Sequence, residues 1–252
     1  TAFGGVAGKS DGNKIIEIQQ WGDLKITGGN SGTAGQTFRS CAFLTTISAA
    51  DTPWFPKNAN FNSFNSLGAR GLFSSCSGLV TINNIANWDV TALNAMQIMF
   101  SNCVKWQFGT NANGPIDLTN WDVRNISQFE RTFNNCQSMN AKMFSNVGAI
   151  ASFIPSMKSM FRGCSVFNNN NSGTMNSWNT STVQIMEYMF DGCTSFNDNI
   201  TSWDTSSVTR MREMFQDCPV FNQAISSWNT ASVNDMRDMF TDATAFDQPI
   251  GN

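Results

Sequence analysis

Cysteine is the side chain in this sequence best suited to chemistry, and it occurs seven times, at Cys41, Cys76, Cys103, Cys136, Cys164, Cys193 and Cys218. Thiolates act as nucleophiles, form disulfides and bind soft metals. The spacing speaks against metal binding, because the closest pair is 25 residues apart and no C-x-x-C occurs, whereas zinc sites usually contain a close pair. Histidine is absent, which removes Cys-His and Ser-His-Asp catalysis and every His-ligated metal. A pair of carboxylates can hydrolyse glycosides, but Asp198, Asp204, Glu213 and Asp217 recur or scatter with the pattern described next. The thirteen methionines could suggest soft-metal binding, yet Met is also an adaptable filler of core gaps. We therefore expect a protein that is not an enzyme and carries no metal or cofactor.

The cysteines belong to a repeat. Each stands three residues after a phenylalanine: Phe38, Phe73, Phe100, Phe133, Phe161, Phe190 and Phe215, with Phe240 followed at the same distance by Ala243. Twelve residues before five of these stand Trp88, Trp121, Trp178, Trp203 and Trp228; Phe61 precedes Phe73, and Ala149 breaks the register before Phe161. A second apolar column three residues after the Cys reads Leu44, Leu79, Trp106, Met139, Phe167, Phe196 and Phe221, with Phe246 continuing it. FNDNITSWDTSSVTRMREMF (196–215) and FNQAISSWNTASVNDMRDMF (221–240) agree at 12 of 20 positions without a gap. Self-similarity at this period marks a solenoid, in which each coil covers its neighbour's apolar face. An odd cysteine count and Ala243 in the eighth place favour packed thiols over a disulfide ladder.

Within a coil, Val208, Met211, Met214, Phe215 and Cys218 recur every three or four residues, the stripe of a short helix. Ser207, Ser232, Thr182 and Asn125 precede their stripes as N-caps would. The other half, Phe221 to Trp228 with Ile225 inside it, reads as a short strand and turn, paired in parallel from coil to coil about 4.8 Å apart. Ahead of the first coil, KIIEIQQWGDLKI (14–26) alternates at Ile16 and Ile18, turns at Gly22-Asp23 and continues through Leu24 and Ile26, a hairpin that would cap the solenoid. The last coil has no such cap, which suggests a chain cut from a longer protein. Recurrent Asn140, Asn168, Asn197 and Asn222 should bond backbone across coils, while pairs such as Arg212-Glu213 and Arg237-Asp238 read as a solvated face.

Composition agrees with a folded, non-catalytic module. Of 252 residues only 13% are charged, against roughly 25% in ordinary domains, and the net charge is −3. Twenty-one Phe and eight Trp supply a buried interior, while 31 Asn and 27 Ser supply polarity. Without a basic stripe a nucleic-acid partner is not expected, and no apolar run approaches the roughly 20 residues of a membrane span.

The repeat phrases quoted above resemble the 26-residue unit of BspA-like leucine-rich-repeat surface proteins, over about residues 14–252. The resemblance implies an α/β solenoid, a right-handed leucine-rich-repeat-like coil. We read about eight units of short parallel strands and short helices in residues 37–252, behind a lead and β-hairpin cap in 1–36. It further implies an extracellular, cell-surface or virion-surface location and a role in adhesion or ligand binding. Coil-to-coil insertions fall at 107–120 and 168–177, so the rim they build is the expected contact edge. Its ligand-facing candidates are Asn111, Asn113, Asn169, Asn170, Asn197, Asp198, Thr201, Asn222, Gln223 and Ser226. Their partner would be a protein or glycan on another cell. In the alternative, an assembly component of a filament, sheath or viral fibre, it would be a neighbouring subunit. A minor reading, ice binding, rests on the threonine column Thr180, Thr205 and Thr230.

Overall fold

In the computed structural model, which describes residues 14–23, 37–55, 70–107, 109, 114–148 and 154–250, each repeat lies parallel on the next. Strands β1 (Glu17–Ile18), β2 (Thr46–Ile47) and β3 (Thr81–Ile82) form one parallel sheet in that order, with Ile18, Ile47 and Ile82 in register. Further along, parallel bridges join Ala95 to Gln128 and run from Ser156 through Ile185 and Arg210 to Asp235. From there a backbone ladder continues. The N–H groups of Met186, Tyr188, Phe190 and Gly192 donate to the carbonyls of Arg210, Arg212, Met214 and Gln216, and those of Met211, Glu213, Phe215 and Asp217 donate to Asp235, Arg237, Met239 and Thr241.

This ladder replaces the helices that the apolar spacing predicts. Among the described residues no α-helix forms; the helical segments are three 3-10 turns at Ile85–Asn87, Asn169–Asn171 and Thr174–Ser177. The cause is a left-handed backbone around the ladder Phe residues. Two residues before it stand Gly71, Ile98, Arg131, Ser159, Tyr188, Glu213 and Asp238. Two residues after it stand Ser40, Ser75, Asn102, Asn135, Gly163, Gly192, Asp217 and Asp242, and all fifteen have positive φ. A helix needs successive residues near φ −63°, and Glu213 at 54° with Asp217 at 53° interrupts that twice in one repeat. Alternate N–H groups are thereby turned outward to the next repeat. Inward spacing of three and four survives because turns closed by Met214 N–H to Met211 O and Phe221 N–H to Cys218 O keep the helical rhythm of side chains.

The expected N-caps are corrected for the same reason. Ser207 and Ser232 donate their hydroxyls to the carbonyls of Ser181 and Ser206 one repeat earlier, and the Asn125 amide donates to Thr91 O. The Thr182 hydroxyl accepts from Ile154 N–H. No strand forms over 221–228, where the carbonyl of the Asn column takes the place of backbone pairing; Ile225 is buried there nonetheless. At the N-terminus β1 adds in parallel to β2. The expected second arm, Leu24 and Ile26, lies outside the described residues, as do residues 1–13 and Phe61.

One continuous core runs through the stack. Phe38, Phe73, Phe100, Phe133, Phe161, Phe190, Phe215 and Phe240 stack ring on ring at 5.5–5.9 Å, never more than 14° from parallel. Phe167, Phe196, Phe221 and Phe246 form a second column at 5.8–6.0 Å. Each buried Phe contributes about 1.5–3 kcal/mol by burial, and stacked pairs add about 0.5–1.5 kcal/mol. Where Ala149 breaks the Trp column, Phe144 takes the place, stacked 5.6 Å from Trp178 and accepting its indole N–H at 2.7 Å.

The thiols are buried and unpaired. Cys76, Cys103, Cys136, Cys164, Cys193 and Cys218 each donate S–H to the carbonyl of the ladder Phe one repeat back, at 2.9–3.1 Å. That carbonyl has two lone pairs, and the other takes the N–H of its own repeat's Cys, as Cys193 N–H does at Phe190 O. A small apolar residue with one weak donor fits this place, and burial pushes the Cys218 thiol up to about 12.

Candidate functional site

Two polar strips reach the surface, and they use their side chains in opposite ways. The rim, where sequence places the contact residues, is largely consumed by the fold. Asn140 Oδ1 accepts from the N–H groups of Asn168 and Asn170; Asn168 Oδ1 then accepts from Asn197 N–H at 2.7 Å, Asn197 Oδ1 from Asn222 N–H at 2.9 Å, and Asn222 Oδ1 from Asp247 N–H at 3.1 Å. The recurrent Asn is thus a rung that carries each repeat onto the next.

Two rim candidates, Asn169 and Asp198, are corrected because they are buried. Asn169 is fully buried: its amide donates to Asp198 Oδ2 and Thr174, and its Oδ1 accepts Met143 N–H at 2.8 Å. Asp198, 5% exposed, also accepts Gly173 N–H, and burial holds its carboxyl above the usual range against those hydrogen bonds. Asn170 is half-buried; Thr201 closes a local turn on Asn199 Oδ1; Gln223 donates to Asn197. Asn197, Asn222 and Ser226 are exposed, but the first two already serve the ladder. Asn111 and Asn113 lie outside the described residues. The threonine column is no surface array either. Thr180 and Thr205 are buried and donate their hydroxyls to Asp204 O and Asn229 O at 2.9 Å.

The second strip is the ladder half-turn. There the backbone pairs with itself from repeat to repeat, and the outward side chains bond mainly to one another. Between residues 128 and 242 every charged residue except Lys142, Asp198 and Asp204 lies on it. At its middle is Tyr188, the one tyrosine of the chain, at φ 58° in a column whose other members include Ser159, Glu213 and Asp238. Lys158 and Arg162 from the previous repeat and Arg212 from the next lie 5.5, 4.8 and 5.6 Å from its ring centre, within cation–π range. Ion pairs hold the cations further: Lys158 to Glu187 at 2.6 Å, Arg162 to Asp191 at 2.7 Å, Arg212 to Glu213 at 2.8 Å and Arg237 to Asp235 at 2.8 Å. Arg210 reaches Glu187 only at 3.8 Å and is 54% exposed.

A groove of about 620 Å³ opens beside Tyr188, lined by Lys158, Glu187, Arg210, Arg212, Asn234, Asp235, Met236 and Arg237. Four cations against two carboxylates give the lining a net +2 in a chain of net −3. The bidentate pair with Arg237 depresses the Asp235 carboxyl to about 2, so it stays ionised. Next to the groove, burial holds Asp191 above the usual range, opposed by Arg162. Among the described residues no group of three or more His, Cys, Asp or Glu is placed to hold a metal. None of their helices is long and apolar enough to cross a membrane. Of the charged pairs expected on a solvated face, Arg237 and Asp238 are exposed, with Arg237 bonded to Asp235. In the sequence the groove is marked by a departure from the repeat: one aromatic in a column otherwise without one, with Lys and Arg in the columns around it.

A family profile described as Mycoplasma protein of unknown function, DUF285, matches residues 59–172 and 155–252. No curated protein matches. Among solved structures, a leucine-rich cell surface protein from Faecalibacterium prausnitzii A2-165 is similar at 12% identity over 87% of this chain and 79% of that one, with a TM-score of 0.20.

Proposed function

This chain belongs to the DUF285 family, and from that premise we propose that it is a non-catalytic recognition module of an exported surface protein. Its architecture in this reading is a right-handed, leucine-rich-repeat-like solenoid of about eight coils, a rigid rod whose core is closed along its length. Binding falls to the ladder half-turn around Tyr188 and not to the Asn/Ser/Thr rim. The observation that carries this is the groove's preorganised charge: its Lys and Arg side chains are held by Tyr188 and neighbouring carboxylates, beside the backbone ladder and not as part of it. Side chains ordered before contact lose less entropy on binding. Adhesion or receptor contact follows naturally from such a face.

The test is a combined protein and glycan array probed with the monomeric chain, beside a sedimentation measurement. Array signal that disappears in Arg210→Ala/Arg212→Ala and persists in Ser226→Ala supports the reading. Self-association without array signal would instead favour a part of a filament, sheath or fibre.

A further inference from the structure

The groove's chemistry narrows what it could recognise. Arginine carries five N–H donors, and the ion pairs of Arg212 and Arg237 each use only the Nε and one Nη group. The Arg210 guanidinium, 3.8 Å from Glu187, is less committed still. These forks match the geometry of planar or tetrahedral anionic oxygens. Lys158 and Arg237 stand three repeats apart along the stack, a span on the order of 14 Å at about 4.8 Å per parallel step.

Other features restrict the ligand class. Glu187 and Asp235 lie among the cations, so a dense run of phosphates would meet repulsion at regular intervals. A peptide adding as a strand would need a free edge, but Tyr188 N–H already donates to Arg212 O in the ladder. A peptide anchored by apolar side chains would need an apolar pocket; besides the Tyr188 ring, flanked by cations, only Met236 is apolar in the lining. A sugar bearing an acidic group fits all parts of the site. Its carboxylate or sulfate meets the Arg forks, and its hydroxyls donate to Glu187, Asp235 and the Asn234 amide oxygen.

We propose that the Tyr188 groove binds acidic oligosaccharides, with Lys158, Arg210, Arg212 and Arg237 taking the anionic groups and Glu187, Asp235 and Asn234 the hydroxyls. This rests on the reading of the half-turn as the recognition face and names its ligand.

Calorimetry with the full chain tests it, using a polygalacturonate octasaccharide as the carboxylate source and a chondroitin sulfate octasaccharide as the sulfate source. A neutral maltooctaose and a polyglutamate octapeptide serve as comparisons. At least one acidic sugar should bind, more weakly as salt screens the charges. Arg210→Ala/Arg212→Ala should weaken it about tenfold or more, as should Lys158→Ala two repeats away, while Ser226→Ala leaves it unchanged. Unaltered thermal unfolding of the variants separates lost contacts from lost fold. Maltooctaose or polyglutamate binding as tightly as the acidic sugars overturns the proposal, as does indifference to both groove variants. If no acidic sugar binds but the arrayed chain captures a defined protein through Arg210 and Arg212, the ligand class fails and the recognition face stands. If neither sugar nor array gives signal, both fail.

Discussion

The rim and the ladder half-turn are both polar, exposed and repeated, yet a side chain means something different in each. On the rim the backbone leaves N–H groups without strand partners, and Asn140, Asn168, Asn197 and Asn222 supply the missing acceptors. On the half-turn the left-handed residues turn alternate N–H groups onto the neighbouring repeat, so the side chains are released from that duty. A polar column that recurs is holding the stack together. A polar position that departs from its column, as Tyr188 does, is available for something else.

The sharpest way to break this contrast is Asn169→Ala. It would strand Met143 N–H and deprive the buried Asp198 carboxylate of its amide donor, so we expect a loss of roughly 3 kcal/mol in denaturant unfolding. An effect under about 1 kcal/mol would mean the rim is not structural. Asn197→Ala removes one rung and should cost about 1–2 kcal/mol. Arg212→Ala on the other strip should stay near the ~0.5 kcal/mol of an exposed pair, and equal losses from the two would erase the distinction. Ile98, β-branched at φ 62°, is a poor occupant of its left-handed position. Ile98→Gly should raise stability by up to about 1 kcal/mol where relief of backbone strain exceeds the lost apolar burial, read as a higher midpoint; a lower one would show that the side chain's packing matters more.

The smallest expected effect is one of pH. Burial raises the folded carboxyls of Asp198 and Asp191 above their unfolded values. Between those values the native state binds more protons than the unfolded chain, so stability falls as pH rises through that window. The lowered carboxyls of Asp204, held by Ser206, and Asp122, held by Arg124, act oppositely; their contribution is present above the unfolded value and lost as pH falls through the folded one. The two effects predict greatest stability in mild acid, and Asp198→Asn should flatten the decline towards neutrality. A melting temperature that climbs steadily from mild acid to neutral would contradict the burial of these two groups.

Much of the core was legible from the chain. The Phe, Cys and Trp columns name much of the buried interior, because burying one apolar face per repeat imposes its period on the sequence directly. The bonding role of the Asn column was legible in the same way. The absence of α-helices among the described residues was not: inward spacing of three and four is shared by a true helix and by turns broken at left-handed residues. The column one residue before each Cys and before Ala243, namely Ser40, Ser75, Asn102, Asn135, Gly163, Gly192, Asp217 and Asp242, carries the composition such a backbone prefers.

What the sequence determined by itself is the repeat and its dry interior, since the hydrophobic effect acts on residue type and needs only periodicity to be read. Which polar strip supplies the backbone's missing acceptors and which carries ion pairs was decided by the tertiary structure alone. Hydrogen bonds are directional, and whether an asparagine or an arginine is already committed depends on which backbone groups the neighbouring repeat brings within about 3 Å of it.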